Sequence, residues 1–164
     1  EENGHFGNTI AKIFCYSIFQ KYLYSSLINS EDEKLAAIAE KSLKEVEYHI
    51  RHSSSWVIRL GDGTKESKEK MQEAINEVWQ FTDEFFEMDE IDNLLLNNKI
   101  GIDLGKIKTN WKETVTRYLK EATLTIPEKS SMATGGKKGE HTKNLGLILS
   151  TMQYLPRKYP DAKW

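Results

Sequence analysis

Hydrophobic residues recur at spacings of three and four through most of the chain, which is the period of one face of an α-helix. The clearest stretch runs from Ser30 to Leu60, where apolar and small side chains follow one face and charged side chains the other. Ser30 and Glu33 have the spacing of a capping box and predict the start of this helix. His49 falls on the apolar face, so the pattern predicts that it points inward.

The preceding segment, from about Phe6 to Ile28, is apolar on more than one face, and from Ile10 onward its only charges are Lys12 and Lys21. A helix of this kind must be buried in a large core or between subunits. Because the chain supplies few helices to cover it, we predict that a partner or further chain covers the rest. The residues predicted to contact a partner subunit are Ile10, Phe14, Ile18 and Tyr22.

Four more helices are predicted after the break at Gly61-Asp62-Gly63. Start signals and apolar periodicity place them at about Thr64–Phe86, Asp89–Asn97, Asp103–Leu124 and His141–Tyr154. Residues 128–139 form a Ser-, Gly- and Lys-rich loop. Because no stretch alternates like a strand, the sequence predicts an all-α fold.

Composition and charge limit the possible size and class of the protein. With 164 residues, 38% hydrophobic and 29% charged, the chain has the size and balance of about one globular domain. Its net charge of -2 does not suggest a nucleic-acid surface. Cys15 alone allows no internal disulfide, and no apolar run is long enough for a membrane span. We expect a cytoplasmic protein and, because the sequence does not begin with Met, a fragment of a longer product.

The residues around His49 argue against a metal centre. In helical bundles that hold two iron or manganese ions, Glu-x-x-His places a carboxylate and an imidazole on one helix face. Here the residue three before His49 is Val46, which cannot bind a metal, and residues 3–29 contain no Asp or Glu. Glu45, four residues before His49, lies towards the edge of the stripe. We interpret His49 as a core histidine bonded to a neighbour rather than a metal ligand.

Two other motifs contain residue types that can bind an anion or act as a nucleophile. The stretch from Gly135 to Gly139, with Lys137 and Lys138, has the composition of a phosphate-binding loop before a helix. Since no strand precedes it and it lacks Walker spacing, a solvated loop is the favoured interpretation. Cys15 lies on an apolar helix, which favours packing over a nucleophilic role. No catalytic residue is predicted.

Several runs along the chain resemble the PaaC family, the structural subunits of bacterial phenylacetyl-CoA 1,2-epoxidases. The resemblance covers essentially the whole sequence. The runs that carry it are Leu43 to Arg51, Arg59 to Thr64, Met71 to Trp79, Glu121 to Leu124, Thr134 to Thr142 and Met152 to Trp164.

The resemblance implies a ferritin-like helical bundle and a place in the multicomponent oxygenase of aerobic phenylacetate catabolism. In that family the di-iron centre and the CoA-thioester site lie in a homologous catalytic subunit, and a reductase supplies electrons from NADPH. The resemblance implies that this subunit has lost its metal ligands, so that Val46 and His49 mark a degenerate site. The resembled subunit binds no cofactor, is not an enzyme on its own and acts as scaffold. Lys137 and Lys138 are hypothesised to contribute positive field near the CoA phosphates.

By this resemblance, residues 1–164 form one ferritin-like domain that lacks the first helical pair of the bundle. It would comprise a long helical hairpin at residues 6–60, followed by C-terminal helices and a tail at residues 64–164. Two alternatives stay open. One is a di-iron enzyme that uses Glu45, Glu47 and His49 with ligands outside this sequence. The other is a self-assembling ferritin-like binding or storage protein.

Overall fold

The computed structural model describes residues 4–128 and 132–163. These residues form α-helices joined by turns, and none of them lies in a β-strand, so the all-α prediction is confirmed. Two short 3₁₀ turns occur at Asp83–Phe86 and Gly136–Lys138. The helices are α1 Phe6–Leu27, α2 Glu33–Gly61, α3 Lys65–Trp79, α4 Glu90–Asn97, α5 Leu104–Glu121, α6 Asn144–Met152 and α7 Tyr154–Lys158.

The described chain forms two compact units. The first contains α1 to α5 and extends to residue 133, and the second contains residues 134–163. The long hairpin predicted at residues 6–60 is present as α1 and α2. Helices α3 and α5, from the predicted C-terminal part at residues 64–164, pack directly on α1 and share its core.

Helix α1 lies at the centre of the first unit and packs against α2, α3 and α5. Two hydrogen bonds join it to α5: the indole N–H of Trp111 donates to the carbonyl of Cys15 at 2.9 Å, and the hydroxyls of Tyr22 and Thr114 lie 2.6 Å apart. This helix is therefore covered largely by the chain itself. Its fully buried large side chains include Ile10, Phe14 and Ile18.

The start of α2 differs from the predicted capping box. Asp32 is the N-cap, and its Oδ1 accepts hydrogen bonds from the backbone N–H groups of Lys34 and Leu35, both at 3.0 Å. The Ser30 hydroxyl instead donates to the carbonyl of Ile100 at 2.8 Å and ties the α1–α2 turn to the segment before α5. Both residues are good N-caps, so tertiary contact decides between them.

Helix α3 starts at its predicted cap, Thr64, but ends at Trp79 rather than near Phe86. The buried Thr82 hydroxyl donates to the Trp79 carbonyl at 2.8 Å and satisfies one of the groups left free at the helix end. The 3₁₀ turn that follows directs Phe86 onto Trp111, whose ring also lies 5.7 Å from that of Trp79. Aromatic packing therefore overrides helix continuation.

Gly61, at the end of α2, lies against the end of α5, and replacing it with alanine should lower the free energy of unfolding. An added Cβ would overlap the Ala122 carbonyl oxygen and lie 3.0 Å from Leu124 Cγ. We expect a loss of about 1–3 kcal/mol by chemical denaturation. Gly105→Ala is the control, because a Cβ there would meet only the Asp103 side chain. Equal stability of the two variants would contradict the close approach of Gly61 to Ala122 and Leu124.

Candidate functional site

The register of α2 places Val46 inside and His49 outside. Val46 is 3% exposed and packs in the core with Ile50 and Val57, whereas His49 lies on the exposed side. The prediction that His49 points inward, as a core histidine, is therefore wrong for the described chain. Residues three apart on a helix point about 60° apart, and the buried face is narrow enough to include one of them and exclude the other.

The residues on α2 do not fit a di-metal centre. The position that should supply a carboxylate holds a buried valine, which offers no lone pair. Glu45, Glu47 and His49 are all exposed, and Glu45 and Glu47 point to nearly opposite sides because they are two residues apart on a helix. Within residues 4–128 and 132–163, no three His, Cys, Asp or Glu side chains are placed to hold a metal ion. Glu45, Glu47 and His49 therefore do not converge on one point of the α2 surface.

The predicted partner interface on α1 is wrong for most of its residues. Ile10, Phe14 and Ile18 are fully buried within the first unit, and Tyr22 is half-buried and bonded to α5. A surface that the chain itself covers cannot bind another subunit. The prediction failed because α1 is apolar on both sides, so its sequence does not indicate which side faces the core.

A different apolar surface lies on the outer side of α1 and α2, and sequence reasoning did not single it out. Tyr16 is 49% exposed, and α1 carries no carboxylate along this face. The only sequence signal for these exposed side chains was that α1 carries more apolar residues than one core-facing side requires. The large hydrophobic side chains that these two helices expose include Phe6, Ile13, Tyr16 and Ile38.

The Lys137–Lys138 turn is compact rather than extended. Gly135 and Gly139 adopt left-handed conformations with φ of 93° and 88°, and the Lys138 N–H donates to the Gly135 carbonyl at 2.8 Å. Both lysines are exposed. Helix α6 begins only at Asn144, so the turn does not supply helix-start amides as the motif suggested. The turn therefore offers positive charge without the predicted amide cradle.

Cys15 is fully buried, and burial raises the pKa of its thiol to about 12. Because the thiolate is the nucleophilic form, this cysteine is unreactive at neutral pH. The packing interpretation of Cys15 agrees with this environment.

Among the helices in the described ranges, none combines the length and apolar character of a bilayer span.

The architecture defines a class. Two long helices joined by a short turn pack with shorter ones in an all-α unit. The whole sequence, residues 1–164, matches the model of the phenylacetic acid catabolic protein family that includes PaaA and PaaC, and the chain belongs to this family. The fold of the family is a ferritin-like helical bundle.

Similarity to one curated protein identifies the type of subunit within this family. The chain is 43% identical over 164 residues to the C subunit of 1,2-phenylacetyl-CoA epoxidase from Escherichia coli strain K12. The match covers all of this chain and 66% of that protein, so the chain spans slightly less than two thirds of its relative's length. The resemblance to the PaaC family is therefore confirmed.

Proposed function

We propose that this protein is a non-catalytic scaffold subunit of a multicomponent di-iron oxygenase that epoxidises the ring of phenylacetyl-CoA in phenylacetate catabolism. Its partner would be a homologous catalytic subunit that carries the di-iron centre and binds the CoA ester. The chain itself would bind no cofactor. The 43% identity to the C subunit of an epoxidase supports the complex and its substrate class.

The observation that carries the non-catalytic role is the buried Val46. The di-iron Glu-x-x-His pattern needs a carboxylate three residues before its histidine. The residue three before His49 is Val46, which is part of the apolar core, and the residue three before His52 is His49. Residues 4–29, which include all of α1, also contain no Asp or Glu to supply a bridging ligand. An apolar residue at a former ligand position removes the cost of burying an unpaired carboxylate.

The test measures iron and assembly together. The chain is purified anaerobically with added ferrous iron, alone and after co-expression with the catalytic and reductase subunits of the E. coli epoxidase. We expect no stoichiometric iron in the chain alone, co-purification with the catalytic subunit, and epoxidation only in the complex. About two irons per chain, or epoxidation by the chain alone, would overturn the proposal. The control is the C subunit of the E. coli enzyme, both complete and trimmed to the matching residues.

We also propose that Lys137 and Lys138 attract the phosphates of the CoA ester within the complex. Two exposed ammonium groups favour an anion through long-range field rather than a fitted contact. Reversing both charges should raise KM for phenylacetyl-CoA about 3- to 10-fold, with little change in kcat. Lys65→Glu with Lys68→Glu is the matched control, because it changes net charge equally on exposed positions of α3. An unchanged KM in the first variant would dispose of this role.

A further inference from the structure

Helix α4 presents an apolar stripe to solvent. None of its residues is buried, and Leu94 is 61% exposed beside Ile91 and Leu95, at the spacing of one helix face. Next to this stripe lies a cavity of about 170 Å³, lined mainly by leucines from α1, α2, α4 and α5. This volume is below the roughly 300–1,000 Å³ of most small-molecule pockets. The site therefore suits an apolar side chain from another polypeptide.

The segment that carries α4 is acidic. Residues 83–99 contain six Asp or Glu and one Lys, Lys99, which forms an ion pair with Glu31 at 3.0 Å. Some of these carboxylates already have contacts, such as Asp83, which forms an ion pair with Lys108 at 2.9 Å. The summed charge of the segment nevertheless stays negative and favours a partner that is both apolar and basic.

A segment with this chemistry exists in the same sequence. Residues 134–163 contain six Lys or Arg and two Asp or Glu. Within the described chain, α6 and α7 bury none of their residues, and Met152 is 73% exposed. In α7, the exposed Leu155 lies next to the basic pair Arg157 and Lys158. Exposed apolar surface of this extent marks an interaction site.

We propose that the α4 surface of one copy binds the α6–α7 segment of a second copy, and that a two-fold axis repeats the contact to give a closed dimer. Two basic segments repel each other, so pairing of α6–α7 with its own equivalent is unfavourable. The acidic, apolar α4 surface has the complementary charge. Apolar side chains supply affinity, and the charge pattern sets the partner and orientation.

Sedimentation velocity on the 164-residue chain, over about 1 to 200 µM, tests the proposal. We expect the mean mass to rise from 19.0 kDa towards twice that value with concentration. On α4, Glu90→Lys reverses one charge and Asn93→Lys adds a positive one, and on α7 Arg157→Glu with Lys158→Glu reverses two. Each pair should weaken the dimer at least about 10-fold, and a chain with all four changes should recover to within about 3-fold of the original.

The quadruple variant controls for correct folding, because it contains every substitution and should still dimerise. Each double variant should also keep a helical circular dichroism spectrum and an unchanged melting temperature. A chain that stays monomeric across the concentration range would overturn the proposal. So would a dimer whose dissociation constant neither charge reversal changes, since another surface would then form it.

Discussion

Replacing Phe14 with alanine should lower the free energy of unfolding by about 3–5 kcal/mol. Phe14 has no exposed surface and lies in the core of the first unit, where its ring meets that of Tyr118 edge-on at 5.8 Å. Removing the ring deletes buried apolar area and leaves a cavity that helices fixed on several sides cannot close. Urea denaturation followed by circular dichroism measures the loss.

The neighbouring Ile13 provides the matched control for this experiment. It is partly exposed on the outer side of the same helix, so Ile13→Ala should change the free energy of unfolding by less than about 1 kcal/mol. If Phe14 instead faced a partner subunit, Phe14→Ala would leave the isolated chain as stable as Ile13→Ala does and would weaken only the complex. That result would contradict the core position of Phe14.

Replacing Val46 with glutamate should destabilise the chain by several kcal/mol at pH 7, because it places a carboxylate in the apolar core, one helix turn from the buried Ile50. Burial would raise the pKa of this carboxyl in the folded state. The folded chain would then bind the proton more tightly than the unfolded chain. The loss of unfolding free energy caused by the substitution should therefore be smallest near about pH 4, where the carboxyl is protonated in both states, and should reach its full value only above the raised pKa of the folded state. Thermal unfolding at a series of pH values measures this dependence.

The same substitution recreates the Glu-x-x-His spacing with His49, so it also tests the metal interpretation. Ferrous iron should not restore stability, because residue 46 points into the core while His49 is exposed. Val46→Gln is the control, because glutamine has the same shape as glutamate but no charge. The difference in stability between this variant and the unchanged chain should vary little with pH. Stoichiometric iron binding with recovered thermal stability in Val46→Glu would show that the site can be rebuilt.

The sequence predicted the helices best where they are amphipathic and clearly capped. In α5, Asp103 is the N-cap, and the predicted inward residues Leu104, Ile107 and Trp111 are buried. Charged residues on the other face of such a helix leave only one side that can enter a core. Length, start and buried face can then all be read from the pattern.

The same reasoning failed where the pattern is ambiguous. Helix α1 has apolar residues on all sides, so which side is buried depends on where α3 and α5 pack, and local sequence does not contain that information. His49 lies at the border of the α2 stripe, where one residue position separates buried from exposed. The absence of a ligand at Val46, by contrast, followed from residue type alone and needed no geometry.

The contact between Trp79 and Trp111 gives the chain an intrinsic optical probe. Their rings lie 5.7 Å apart, one from α3 and the other from α5, and the indole of Trp111 is also bonded to α1. The emission of these two indoles therefore changes when any of these three helices separates from the others. Tryptophan fluorescence can follow the loosening of the first unit in real time without an added dye.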